Sequence, residues 1–467
     1  MSYKSLTINE RYNILKEFGK IEKENTDALI QWRNDMSLLS QKQFQKMLQY
    51  NQYDKKIFSY AVTREPDENI VKLYEKSEVE HIWRCTYWEI LNTNILYEEK
   101  SYWGQDEGFN YIVRHFVKYV EKQLKKLKQN VKVNYCIGME NPYNYRNKGK
   151  YAFKNGKMGF FEEGTHKIVY AKCAIQNEKI NQVADYIFEL VKKYHISIYN
   201  EDTGKGFLRH VVIRYGFFTD EVMVIFVTTE GKMYKKQEII KDLTTKFKEI
   251  KSIIQNINIR ETNAILGNKN FKMYGTGFIM DKLGELKIKI SPLSFYQVNP
   301  IQMKKLYDTA IDFAKLTGNE VVYDLYSGIG TISLSVAKKV KKVYGIEIVK
   351  EAVIDARVNA RMNNITNTSF MDGKVEELLP KLCSKEKADV IFVDPPRSGL
   401  DAKTIKTIIK VRPQKIVYIS CNPDTLVDNL LLLEKDYDIK AVQPVDMFPF
   451  TSHVECVTIL ERKNIEK

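Results

Sequence analysis

Val321-Val-Tyr-Asp-Leu-Tyr-Ser-Gly-Ile-Gly-Thr331 decides the fold. Val321 to Leu325 reads as a short buried strand, and Gly328 and Gly330 fall in the turn after it. Glycine there permits positive φ and lets backbone N–H groups come close to a ligand. Ser333 stands where a dinucleotide fingerprint has its third glycine, which favours an adenosyl ligand smaller than a pyrophosphate-bearing cofactor.

Outward from this turn the pattern is regular. Strands are predicted at Glu320–Leu325, Lys342–Ile346, Thr368–Phe370, Ala388–Val393 and Lys415–Ser420. Helices are predicted at Thr331–Lys339, Glu351–Asn363, near Glu376, at Lys403–Val411 and at Thr425–Glu434, with closing strands around Tyr437–Val445 and Val454–Leu460. Ser291–Pro300 leads into a further helix over Ile301–Leu316. Strands alternating with helices predict an α/β fold with a doubly wound parallel sheet over residues 291–467.

Ligands of such sheets bind outside the carboxyl ends of the strands, and those ends carry the polar chemistry here. Glu347 ends the second strand, where a carboxylate accepts both ribose hydroxyl hydrogens. Asp372, after the third, is a candidate for the adenine amino group. In Asp394-Pro-Pro-Arg-Ser-Gly399 two prolines stiffen the loop and fix where Asp394 and Arg397 point. The strand Lys415–Ser420 delivers Cys421 at its end, because Asn422-Pro423 breaks it. A lone cysteine beside an apolar strand is ordinarily an inert core residue. Its place on the same edge as a glycine turn and two acids favours chemistry.

Upstream, residues 131–290 read as an α+β domain. Arg209–Arg214 and Glu221–Val227 flank a turn from Gly216 to Asp220 and predict a hairpin, and short strands are predicted at Tyr151, Gly159 and Lys167–Tyr170. A helix is predicted over Lys241–Ile254, with Leu243, Phe247, Ile250 and Ile254 on one face. The turn-rich basic stretch Asn141–Lys150 and the aromatic residues suit an RNA platform, although a structural β domain reads much the same. Residues 1–130 read as mainly helical, with Ile112, Phe116, Val120, Leu124 and Leu127 forming an apolar stripe between lysines.

The chain has 467 residues, enough for two or three domains. Its 73 Lys and Arg against 59 Asp and Glu leave a net charge of +14, which favours a polyanionic partner such as RNA. Cysteines 85, 136, 173, 383, 421 and 456 have no CxxC spacing, so neither a disulfide framework nor a zinc site is predicted. With no apolar leader and no run of 18 apolar residues, a soluble cytoplasmic protein without membrane contact is expected.

Five stretches carry a resemblance to a known family. They are Ser294-Phe-Tyr-Gln-Val-Asn299, Asp324-Leu-Tyr-Ser-Gly-Ile-Gly330, Asp394-Pro-Pro-Arg-Ser-Gly399, Ser420-Cys-Asn-Pro-Asp-Thr425 and Asp446-Met-Phe-Pro-Phe-Thr-Ser-His-Val-Glu455. In this order they resemble the S-adenosylmethionine-dependent RNA uracil-5-methyltransferases, which make 5-methyluridine in 23S ribosomal RNA or tRNA. A weaker likeness runs through Gly138-Met-Glu-Asn-Pro-Tyr143 and Lys172-Cys-Ala-Ile-Gln176. The resemblance implies a Rossmann-like methyltransferase domain, Cys421 as nucleophile and Glu455 as the base that removes the C5 proton. It also implies cofactor contacts from Gln297, Tyr326, Glu347 and Asp394. Position 331 is Thr where some members have a cofactor-binding Asn.

The chemistry asks for the same residue types. Uracil C5 accepts a methyl group only after a thiolate has added to C6, and a carboxylate must then take the C5 proton so that the thiol can leave. His453 is the rival base, assigned here a structural role. RNA 5-methylcytosine enzymes typically carry a second cysteine in the Asp-Pro-Pro loop, and amino-group methyltransferases commonly end that motif in an aromatic residue where Arg397 stands. Arg397 is the candidate for contact with the base or a phosphate. A catalytically silent RNA-binding protein is the rival of another class. Only Cys173 matches the cysteines that hold an iron–sulfur cluster in many ribosomal members, so no cluster is expected. A monomer acting on 23S ribosomal RNA, with tRNA as the alternative, completes the expectation.

Overall fold

The computed structural model describes residues 119–464 apart from 140, 162–164, 166, 170–172, 202, 261–263, 450 and 452. The helical region expected over 1–130 therefore falls almost wholly outside the described residues. Of its apolar stripe, Val120, Leu124 and Leu127 are described, and all three are buried.

In chain order the first group of elements is β1 (Lys148–Lys154), β2 (Lys157–Phe161), β3 (Ile168–Val169), α1 (Glu178–Lys193), β4 (Leu208–Gly216), β5 (Glu221–Thr228), α2 (Lys236–Lys246), β6 (Ile250–Ile257) and β7 (Lys269–Gly275). These strands form one sheet in the order β3-β2-β1-β4-β5-β6-β7. The expected hairpin is present, with β4 and β5 antiparallel. Alternation along these strands sorts the apolar side chains by face. Val211, Ile213, Val222, Val224 and Phe226 pack with Ile180, Ile187 and Leu243 of the two helices. Val212, Met223, Ile225 and Val227 join the core that holds the carboxy-terminal sheet.

The helix predicted over Lys241–Ile254 is a correction. It ends at Lys246, Phe247 is extended (φ −124°, ψ 103°), and Ile250 opens β6. The run Ile250-Lys-Ser-Ile-Ile-Gln-Asn-Ile is β-branched and pairs in parallel with β5 and antiparallel with β7. Ile253 and Ile254 enter opposite cores, which is strand behaviour. The helical spacing of Leu243, Phe247, Ile250 and Ile254 was a coincidence of burial.

A two-stranded ribbon follows, β8 (Ile279–Leu283) with β9 (Leu286–Ile290). Then come α3 (Pro300–Ala314), β10 (Val321–Leu325), α4 (Thr331–Ala337), β11 (Lys342–Glu347), α5 (Lys350–Met362), β12 (Thr368–Asp372), α6 (Val375–Cys383), β13 (Val390–Val393), α7 (Ala402–Val411), β14 (Lys415–Ser420), α8 (Pro423–Leu433), β15 (Tyr437–Val445) and β16 (Glu455–Arg462). The sheet order is β12-β11-β10-β13-β14-β16-β15. β10 to β14 pair in parallel, and β16 runs antiparallel between β14 and β15. The doubly wound sheet is thus as expected, with one reversed strand. That reversal matters: it brings the amino end of β16 to the carboxyl end of β14.

Candidate active site

The turn after β10 is held from below by Asp324. Its Oδ2 accepts from Ser333 N (3.0 Å) and Ser333 Oγ (2.6 Å), tying β10 to the first turn of α4. Tyr326 takes a left-handed conformation (φ 66°), costly for a bulky residue, and its N–H and that of Ser327 donate to Ile346 O (2.9 and 3.1 Å). Gly328 also has positive φ (53°), and a Cβ there would meet nothing within 4 Å. Gly330 is glycine for the opposite reason: at φ 84° a Cβ would lie 3.0 Å from the ring of Phe370.

Glu347 faces this turn from the end of β11. Its Oε2 accepts from Gly328 N (3.0 Å) and its Oε1 from Val349 N (2.8 Å), so the carboxylate is fixed in orientation. The β11–β12 register sets the exposed Asp372 beside it. The open space over Gly328 and this oriented acid fit the glycosidic half of an adenosyl group.

Gln297 lies buried in the Ser291–Pro300 loop, whose anchors the sequence reading missed. Ser294 Oγ donates to Asp355 Oδ2 (2.6 Å), and Lys289 Nζ donates to Asp355 Oδ1 (2.9 Å). Four residues on, Asn359 Oδ1 accepts from Lys289 N (2.8 Å) while its Nδ2 donates to Ile329 O (3.1 Å) inside the glycine turn. Another four on, Asn363 brackets the backbone of Lys287 (2.8 and 2.7 Å). One polar stripe of α5 thus joins the Gln297 loop to the glycine turn. A polar stripe at four-residue steps reads as a solvated face, so only its lack of alternating charge could have signalled this. On the loop's other side, Asn299 Nδ2 donates to Met447 O (3.1 Å) and Gln302 Nε2 to Asp446 O (2.9 Å), reaching the segment before Glu455. Thr331 Oγ1 lies 3.2 Å from Tyr307 Oη of α3.

Three acid or thiol groups meet at neighbouring strand ends. The β14–β16 register pairs Ser420 with Cys456, so Cys421 and Glu455 stand one step beyond on adjacent strands. Asp394 directly follows β13, the other neighbour of β14. Arg397 O accepts from Asn422 Nδ2 (3.3 Å) and Thr425 Oγ1 (3.1 Å), which ties the Asp-Pro-Pro loop to the cysteine loop while the Arg397 side chain stays exposed. Asn429 of α8 braces the same corner, with Oδ1 accepting from Leu400 N (2.7 Å) and Tyr418 Oη (2.8 Å).

The electrostatics follow from burial of like charges. Glu455 is 2% exposed and its Oε2 has no hydrogen-bond partner among the described residues. Burial first, then the charge of Asp394, pushes its pKa up to about 8, with Arg397 opposing. Asp394 is pushed up to about 7 by burial and by Asp324. The Cys421 thiol rises to about 11 through burial, Glu455 and Asp394, again opposed by Arg397. Near neutral pH the acids therefore hold protons that ordinary carboxylates lack. His453 packs edge-on against Phe448, ring centroids 6.4 Å apart. Among the described residues no group of three or more His, Cys, Asp or Glu could hold a metal ion, and no helix is long and apolar enough to cross a membrane.

Comparison with known proteins places this geometry. A family model described as tRNA (Uracil-5-)-methyltransferase matches residues 278–463. An uncharacterized RNA methyltransferase of Bacillus cereus (strain ATCC 10987 / NRS 248) is 46% identical over 355 residues, 73% of this chain and 77% of that protein. One from Caldanaerobacter subterraneus subsp. tengcongensis is 48% identical over 358 residues, 73% of this chain and 79% of its own. Among solved structures, the Pyrococcus abyssi tRNA (uracil-54, C5)-methyltransferase in complex with S-adenosyl-L-homocysteine is similar at 30% identity and a TM-score of 0.64, covering 76% of this chain and 84% of that one.

Proposed function

The chain belongs to the RNA uracil-5-methyltransferase family, and from that premise we propose that it methylates C5 of one uridine in 23S ribosomal RNA, with Cys421 as nucleophile and Glu455 as base. The observation that carries this reading is the meeting of thiol and buried acid across the β14–β16 pair, beside Asp394. S-adenosylmethionine, when bound, supplies an electrophilic methyl group. Gly328, Glu347 and Tyr326 are the residues proposed to hold it, with Gln297, Asp394 and, at the adenine, Asp372.

The chain's own residues do the rest. Cys421 Sγ bonds to C6 as its proton passes to water or a neighbouring carboxylate, and the displaced π electrons make C5 nucleophilic. Once C5 carries the methyl group, Glu455 removes the remaining C5 proton. The C5=C6 bond re-forms and the Sγ–C6 bond breaks, returning the thiolate. With a pKa raised to about 8 Glu455 must first give up its own proton, and its ionised form is then a stronger base than an ordinary carboxylate, which suits it to a weakly acidic C–H. The uridine must leave its stack to reach these groups. Arg397, exposed at the rim, is proposed to meet the base or a phosphate.

The tRNA of the similar Pyrococcus abyssi enzyme supports a second reading, in which the substrate is a tRNA uridine. Mass-spectrometric mapping of 5-methyluridine in cells lacking the protein separates the two. Loss of one 23S site is expected; loss from tRNA selects the second reading. Unchanged 5-methyluridine in both RNAs contradicts uridine methylation.

A further inference from the structure

Arg146, Lys148, Lys150 and Arg214 make a knot of positive charge on the central sheet. The β1–β4 register pairs Lys148 with Arg214, and Lys150, two residues along, lies on the same face. Arg214 is buried and its Nη1 donates to Ser291 O (2.6 Å) and Pro292 O (3.2 Å), so this face is turned toward the loop that carries Gln297. Asn147, between Arg146 and Lys148, secures the same loop: its Nδ2 donates to Gln297 O (3.0 Å) and its N to Val298 O (2.9 Å).

Lysines in a protein face water or an acid. Lys148 is half-buried, and among the described residues no carboxylate or hydroxyl accepts from the Nζ of Lys148 or Lys150. Burial, then Arg214, Lys150 and Arg146, pulls the Lys148 ammonium well below its usual range; burial, Arg146 and Arg214 lower Lys150. The acid that acts on Arg214 is Asp355, already engaged by Lys289 and Ser294. His210, further along the same face of β4, is held neutral by burial and Arg209 and adds no anion. Such a cluster costs stability unless an anion from outside joins it.

We propose that Lys148 and Lys150, backed by Arg146 and Arg214, bind one phosphodiester of the RNA strand next to the target uridine. The inference rests on the RNA-methylating reading and adds to it a place for the backbone. A phosphate held there is joined through Asn147 to the Gln297 loop, so strand binding and the reacting edge of the sheet share one rigid connection.

The test is the salt dependence of binding of a twelve-residue oligouridylate to the full chain with S-adenosylhomocysteine present. K148Q and K150Q are each expected to weaken binding about three- to tenfold near 0.1 M salt and to lower the slope of log K against log salt by about 0.7, the share of one phosphate on a single strand. Affinity for S-adenosylhomocysteine should not change. Lys150 is exposed, so K150Q tests the site even if K148Q fails to fold. A neutral methylphosphonate moved along the oligonucleotide should weaken the wild type at one position and leave K148Q indifferent there. Wild-type slopes in both variants, equal methylphosphonate sensitivity at every position, or no binding of the oligonucleotide by the wild type overturns the site. None of these results touches the methylation reading, which fails only on its own product.

Discussion

Two clusters of like charge stand in this chain, and they are handled in opposite ways. Asp394 and Glu455 crowd the end of the carboxy-terminal sheet, while Lys148 and Lys150 crowd a face of the central one. The acids relieve their repulsion internally: burial with the charge of Asp324 raises Asp394 to about 7, burial with the charge of Asp394 raises Glu455 to about 8, and protons are retained near neutral pH. The lysines have a far higher starting pKa, and what they lack among the described residues is an acidic partner. On the proposed reading, the difference separates a site that moves protons from one that waits for an anion.

The largest expected effect comes from the thiol. C421A should lower methyl transfer by about 10⁴-fold or more, the scale of deleting a covalent nucleophile, while leaving oligouridylate binding within about twofold. K148Q should do the reverse, raising KM for RNA and sparing kcat at saturating RNA. Steady-state assays of both variants check this. A fall in kcat for K148Q at saturation breaks the separation between the two clusters.

Asp355 sits between the two regions, since it anchors the Gln297 loop and influences Arg214. In D355N the bonds to Lys289 and Ser294 weaken, and the loss of a charge-assisted bond is about 1.5 to 3 kcal/mol. S-adenosylhomocysteine affinity measured by calorimetry should fall by about tenfold or more. An unchanged affinity removes Asp355 from the cofactor side.

The smallest effect is on stability. A carboxyl group whose folded pKa lies above its unfolded value binds its proton more tightly in the native state, so its contribution is complete at low pH and is lost as pH rises toward the folded value. Glu455 and Asp394 place that loss between about pH 4, the unfolded carboxyl range, and the folded values of about 7 and about 8. Melting temperature should drop by a few degrees from pH 5.5 to 8 on this account, and E455Q should flatten the profile. An identical pH dependence in E455Q denies that the acid is raised.

Much of this architecture is legible in the chain. The β-branched strands and the Gly328–Gly330 turn declare the carboxy-terminal sheet, and the residues expected at its edge do end neighbouring strands. What was illegible follows from the same physics. Leu243 to Ile254 satisfied helical spacing although half of it is strand, because periodicity cannot distinguish two elements that both bury the same residues. Asp355, Asn359 and Asn363 carry no signal in sequence, because their partners, the side chains of Ser294 and Lys289 and the backbone of Ile329, Lys289 and Lys287, lie far from them along the chain. Lys148 and Lys150 read in sequence as part of a turn-rich basic stretch, since the pairing of Lys148 with Arg214 exists only once β1 meets β4.

In the proposed reaction Cys421 bonds to the substrate and Glu455 releases it. Denaturing mass spectrometry of the protein after incubation with S-adenosylmethionine and its uridine-containing RNA measures this directly. E455Q should accumulate a protein–RNA species carrying one added methyl group, and C421A should form none. An adduct in C421A, or equal and undetectable adduct in E455Q under conditions where the wild type makes 5-methyluridine, would contradict it.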